Sequence, residues 1–206
     1  MQETVTINQI HYNLEKLLQD CWHRLMNGAG SSKHPFHCPA IATINGAFPE
    51  MRTVVLRKVI PAEQMLIFHT DYRSPKVAQI KKNNTVSWLL YDAKSRIQLR
   101  LKTVATIHYQ DAVTQKRWHD SKLESRRCYL VHPAPSTMAN LPTDGLPEHL
   151  AVKDLSDENV AIGYNNFAVV TNKVTEIDWL FLNHDGHRRA QFIFGEHEIT
   201  MQWLIP

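Results

Sequence analysis

This chain has little that would support a covalent or metallic scaffold. Its three cysteines, Cys21, Cys38 and Cys128, are odd in number, widely spaced and form no C-x-x-C pair. That argues against a disulfide framework or a zinc ribbon and leaves reduced structural thiols as the expectation. Long apolar runs are missing as well. Stretches such as Trp88-Leu-Leu-Tyr91 and Ala161-Ile162 fall far short of the roughly 20 residues that a membrane-spanning helix needs. The opening Met1-Gln-Glu-Thr has neither the basic nor the apolar region of a secretory leader. A cytoplasmic protein without a membrane partner is expected. The twelve histidines include two clusters, His34-Pro-Phe-His37-Cys38 and His184-Asp-Gly-His187. Neither has the helical i, i+4 spacing with an acidic neighbour that a zincin site uses, so loop and surface histidines, and no metal, are the reading.

What is present is an ordinary globular composition, 43% hydrophobic and 21% charged over 206 residues, consistent with a single domain over 1–206. The net charge of +3 conceals an asymmetry. Between residues 52 and 102 eleven lysines and arginines stand against three acids, whereas the rest of the chain has twelve against seventeen. A basic stretch interleaved with apolar residues suits a phosphate-bearing small molecule better than a long polyanion. There is no exposed basic arm and no aromatic run of the RNA-binding type, so no nucleic-acid partner is expected.

Apolar positions at Ile7, Ile10, Leu14, Leu17, Leu18, Cys21, Trp22 and Leu25 predict an amphipathic helix from about Ile7 to Met26, stopped by Asn27-Gly28-Ala-Gly30. Strands are expected over Pro39 to Asn45, Arg52 to Ile60, Met65 to Thr70, Thr85 to Tyr91 and Arg96 to Tyr109. Others are expected near Phe167 to Leu182, Arg189 to Phe194 and Ile199 to Ile205. Helices are expected at Pro75 to Lys82, after the acidic cap Asp111, around Ser125 to Leu130 and after Ser156. A proline-rich connection from His132 to Pro147 reads as an ordered loop beside the site. The whole is mainly β with flanking helices, a closed or split antiparallel β-barrel.

Ser74-Pro75-Lys76 is a helix-start signature whose free N–H groups attract an anion, with Arg73 and Lys76 adding charge. Arg52 and Arg57 sit on one predicted strand with opposite parity, so both can reach one ligand only across a bulge or at a strand start. Gln98 offers a donor and an acceptor to a polar ring edge.

In order and spacing, Arg52-Thr-Val-Val-Leu-Arg57, Leu66-Ile-Phe-His-Thr70-Asp, Ser74-Pro-Lys76, Val86-Ser-Trp-Leu-Leu-Tyr91 and Ile97-Gln98-Leu-Arg-Leu resemble the pyridoxamine 5'-phosphate oxidase-like flavoproteins. The likeness extends through Trp118, Ser125-Arg-Arg and Ile177-Asp-Trp-Leu to Trp203-Leu-Ile-Pro206. It implies an FMN-binding split barrel, a homodimer and a small-molecule substrate. It places Arg52, Thr53, Val54, Val55, Leu56, Arg57, His69, Thr70, Ser74, Lys76 and Gln98 around the flavin, with Arg57, Ser74 and Lys76 on its phosphate. Trp118, Arg126 and Arg188 fall on the substrate side. The apolar character of Trp88, Leu90 and the long strand's core face, more than one small barrel should need, would serve the dimer. The departures are Pro75 where the oxidase has a basic residue, and Gln191 where an Arg-x-His-x-Arg pattern has its last arginine. Trp118, Lys122 and Arg126 also replace its Tyr, Arg and Ser. The resemblance therefore implies an FMN-dependent oxidoreductase of unassigned substrate. A genuine oxidase with an altered substrate site, or a non-catalytic flavin-binding module, are the alternatives. Related split barrels also take a deazaflavin or haem.

Overall fold

The structure, a computed structural model, describes residues 4–147, 150 and 152–206. The predicted first helix begins later than its apolar pattern suggests. Val5–Ile7 (β1) and Ile10–Tyr12 (β2) form a hairpin, because Asn8 and Gln9 both take positive φ, 50° and 67°, the geometry of a tight two-residue hairpin turn. Helix α1 then runs Leu14–Gly30, capped by the Asn13 side chain, which accepts from the Lys16 N–H at 2.9 Å. It passes through Gly28, whose role is close approach rather than termination. A Cβ there would lie 2.8 Å from both the Cβ and the carbonyl oxygen of Phe36.

The main sheet is antiparallel. Its path runs through β11 (Ile199–Leu204), β10 (Arg188–Phe194), β9 (Phe167–Phe181), β8 (Ile97–His108), β7 (Thr85–Asp92), β3 (Ala40–Asn45) and β4 (Phe48–Thr53). Strand β9 is bonded to β8 along most of its length and divides its other edge. Phe167 to Lys173 pair with β6 (Met65–Asp71), whereas Glu176 to Phe181 pair with β10. The division coincides with a register shift at Thr175, a bulge that bends the strand and splits the barrel. Strand β5 (Leu56–Ile60) completes the second arm against β6.

Two cores result. The larger fills the barrel and the underside of α1, with Trp88, Leu90, Leu99, Leu101, Ile177 and Trp179 among its members. Trp88 and Leu90 are 2% and 1% exposed within this single chain, so the expectation that they serve a dimer is corrected. Their apolar surface is already covered, and it is the alternate residues Leu89 and Tyr91 that face outward. The smaller core gathers Ile67, Trp118, Tyr129, Val160, Phe167 and Val169. It lies beneath α3 (Ala112–His119), α4 (Leu123–Arg127) and α5 (Asp157–Val160). Asp111 and Ser156 each cap the following helix through a reciprocal capping box. The remaining helix, α2 (Pro75–Lys82), has the span its sequence predicts.

Candidate functional site

The predicted strand from Arg52 to Ile60 is interrupted. It breaks at Val54-Val55 into β4 and β5, and β5 has a bulge at Arg57, between the pairs Leu56↔Phe68 and Lys58↔Ile67. This break sorts the two arginines to different places.

Arg52 points toward α2. Its guanidinium donates to Thr43 Oγ1, to Gln79 Oε1 at 3.1 Å and to Glu50 Oε2 at 3.2 Å. Gln79 in turn donates to Glu50 Oε2 at 2.8 Å. This network fastens α2 to β3 and β4, fixing where the helix begins. At that beginning Lys76 Nζ donates to Thr70 Oγ1 at 3.1 Å and to Ser74 Oγ at 3.2 Å, and the two hydroxyls lie 3.2 Å apart. Thr70 and Ser74 are buried, and the Ser74 hydroxyl makes no capping bond to α2. Burial lowers the Lys76 pKa from the ordinary lysine value, and the Arg52 charge lowers it further, with Asp71 opposing. Among the described residues no carboxylate is bonded to Lys76. Two cations that repel one another, two buried hydroxyls and a helix start make a group of donors fitted to an anion.

The other expected cofactor residues distribute as follows. Arg73 does not contribute free charge, because Asp71 takes it at 2.6 Å and its remaining N–H groups include one donating to Val131 O at 2.8 Å. Thr53 is exposed, and Val54 and Val55 are half-buried. The N–H groups of Val54 and Leu56 donate to Pro39 O and His37 O. The Leu56 side chain is fully buried in the core. Gln98 is half-buried, lying across from Tyr91 and Leu180 on the outer face of the sheet. Strands β3 and β7 separate its strand from that of Arg52, roughly 14 Å across three strand spacings. His69, adjacent to Thr70, projects to the other side of β6 because strand side chains alternate. Its ring meets Phe167 edge-on at 5.0 Å, and its Nε2 is buried without a hydrogen-bond partner among the described residues. Burial, then the charges of Arg57 and Arg117, push its pKa down to about 3. Arg57 itself is exposed at the β5 bulge.

Of the three expected substrate residues, Trp118 and Arg126 are buried. Trp118 is 5% exposed, in ring contact with Tyr129, Tyr164 and Phe167 at 5.2–6.0 Å. Arg126, 6% exposed, stacks over the Trp118 ring, bonds Asp157 and donates to His119 O. Both hold the helical layer together. Arg188 is exposed at a hairpin and donates to His187 O at 2.8 Å. The histidine clusters have local duties. His34 Nδ1 accepts from the Phe36 N–H, His37 Nδ1 lies 2.7 Å from Gly28 O, and His187 Nδ1 accepts from the Asn183 N–H.

On the outer face of the sheet is a groove of about 480 Å³, with Ala40, Ala42, Met51 and Leu89 among its apolar lining. Its polar wall is self-paired. Asp178 bonds both Arg100 and Arg189 at 2.7 Å, and Lys102 bonds Glu176 at 2.8 Å.

Comparison with known proteins finds similar chains. Residues 18–109 match the family model described as pyridoxamine 5'-phosphate oxidase, FMN-binding domain. That segment contains every residue expected around the flavin. A pyridoxine/pyridoxamine 5'-phosphate oxidase of Bartonella henselae is 33% identical over 88 residues, 41% of this chain and 42% of that protein. The match thus spans about two fifths of the curated relative. Among solved structures, a pyridoxamine 5'-phosphate oxidase-related, FMN-binding protein from Nostoc punctiforme superposes with a TM-score of 0.69 at 18% identity. It covers 91% of this chain and 97% of its own. PhzG from Burkholderia lata, solved with tetrahydrophenazine-1-carboxylic acid, gives 0.67 at 15% identity, covering 93% and 92%. The fold is the split barrel of these proteins.

Proposed function

We propose that this chain, whose residues 18–109 match the FMN-binding domain model of pyridoxamine 5'-phosphate oxidase, is an oxidoreductase whose own residues Thr70, Ser74, Lys76 and Arg52 hold the FMN phosphate. The observation that supports this most is Lys76: a half-buried cation bonded, among the described residues, only to two hydroxyls, at the start of a helix that a side-chain network holds in place. Bound FMN would supply the redox chemistry, accepting and returning electrons. The protein's part is to bind and orient. Thr70 and Ser74 fix the Lys76 ammonium, and Gln79 anchors α2.

Substituting Lys76→Ala is expected to weaken FMN binding by about 1.5–3 kcal/mol, roughly a ten- to hundredfold rise in Kd. Flavin fluorescence titration measures it, and an unchanged Kd would remove Lys76 from the phosphate site. Absorption near 370 and 450 nm, the approximate positions of protein-bound oxidised isoalloxazine, separates FMN from a deazaflavin or haem in the purified protein.

A homodimer is part of the same reading. The outward residues of the sheet include Met51 at 62%, Tyr91 at 45% and Leu89 at 37% exposed, bordering the groove floored by Ala40 and Ala42. The groove's charges neutralise one another within the chain, which lowers the cost of covering them. Sedimentation equilibrium of the flavin-loaded protein is expected to give twice the chain mass. A loaded monomer at micromolar concentration would refute the dimer.

A further inference from the structure

The second half of α2 and the end of β8 border another cleft, of about 500 Å³, lined by Tyr72, Ile80, Lys81, Ala105, Ile107 and Tyr109 among others. Ile80 and Ala105 are 2% and 4% exposed, so its apolar side is the edge of the main core. Its aromatic side is unusual for this chain. The Tyr72 and Tyr109 rings lie parallel within 9°, with centroids 3.6 Å apart, the closest ring pair among the described residues. The stack is held in place from outside. Tyr109 Oη donates to Asn165 O at 2.9 Å, and the Tyr72 N–H donates to Asn166 O at 2.7 Å, both acceptors lying in the turn that leads into β9. Both rings are half-buried.

The charge beside this stack is uncommitted. Lys81 Nζ donates to Tyr72 Oη at 2.7 Å and sits 4.3 Å from the centre of that ring. Among the described residues the ammonium has no other bond and no acid partner. Asp111 also lines the cleft, but its carboxylate is engaged: it accepts from the Thr114 N–H at 2.8 Å and lies 2.8 Å from His108 Nδ1. A preorganised ring gives a flat ligand contact area at little entropic cost, and an ammonium with donors to spare favours an anion. The volume falls in the range of small-molecule sites, roughly 300–1,000 Å³. Lys81 follows Lys76 by five residues, a turn of about 140° around the helix. The cleft therefore opens on a different side of α2 from the donors assigned to the flavin phosphate.

We propose that this cleft binds a flat aromatic molecule bearing one anionic group, a carboxylate or a phosphate monoester. The ligand ring lies against Tyr109 and Ile107, and the anion rests on Lys81. The proposal is independent of the flavin reading, since it uses none of the residues placed at the FMN phosphate.

Calorimetric titration of 2-naphthoate, 2-naphthyl phosphate and neutral 2-naphthamide into the full chain tests it, with and without saturating FMN. At least one anion is expected to bind one per chain, about threefold or more tightly than the amide, a margin suited to an exposed lysine. Its affinity should be the same with and without FMN. Tyr109→Ala should weaken anion and amide alike, by about tenfold, as loss of an aromatic stacking partner does. Tyr109→Phe keeps the ring and should keep the binding, a distinction that a folding defect would not make. Lys81→Gln should remove the preference for the anion while leaving the amide as in wild type, and Lys81→Arg should restore it. Whichever anion binds more tightly identifies the charged group. The proposal is overturned if neither anion binds, if Tyr109→Ala binds as wild type does, or if Lys81→Gln keeps the preference. Displacement of the anion by FMN would also overturn it, because the anion would then occupy the flavin site.

Discussion

Trp118→Ala is expected to lower the stability of this protein by about 3–5 kcal/mol, the range for truncating a large aromatic in a packed core. The indole is wrapped by Tyr129, Tyr164 and Phe167 and covered by the Arg126 guanidinium. Removing it leaves a cavity beneath α3 and α4, and it strips the stacking partner from an arginine whose Nε already lacks a hydrogen bond among the described residues. For a chain of this length each kcal/mol corresponds to roughly 2–4 °C in melting temperature, so the transition should fall by on the order of 10 °C. Thermal unfolding of the flavin-free protein measures this without interference from ligand binding. A variant melting within about 2 °C of wild type would contradict the buried position, since surface substitutions usually stay within roughly 0.5 kcal/mol. It would also return Trp118 to the substrate side.

That residue shows where sequence reasoning stops. The spacing of Trp118, Lys122 and Arg126 was legible, and so was the Asp111 cap that starts their helical layer. Which face of α3 turns inward was not, because eight residues with mixed polarity carry a weak amphipathic signal. The alternation along β8 and β9 and the Ser74-Pro75 start of α2 were readable because each depends on local chemistry. The β1–β2 hairpin was hidden, since Ile7 and Ile10 fit the helical period and nothing in Asn8-Gln9 demands positive φ. In the site, parity alone predicted that Arg52 and Arg57 would need a bulge to share a ligand. The bulge exists, and with the break at Val54-Val55 it leaves Arg52 bonded to Thr43, Glu50 and Gln79 while Arg57 is exposed.

The same placements argue that FMN-saturated protein turns over pyridoxamine 5'-phosphate poorly, with kcat/KM well below the ~10⁴ M⁻¹s⁻¹ at the foot of the ordinary enzyme range. An aldehyde-forming oxidase has to anchor the substrate phosphate and hold one carbon in near-attack geometry, and misplacement by about 1 Å costs on the order of a hundredfold. The candidates for that anchoring are occupied elsewhere. Arg126 is buried and bonded to Asp157 and His119, Arg189 is bonded to Asp178, and Arg188 donates to its own hairpin. Gln191 accepts from Gln202 at 2.8 Å, which leaves an amide where the oxidase pattern has a cation. Lys122 is exposed beside α4, a single flexible charge. Aerobic assays following aldehyde formation at saturating FMN test the point. A kcat/KM at or above ~10⁴ M⁻¹s⁻¹ would show that this altered constellation still positions the substrate, and the protein would then be a working oxidase with a rearranged site.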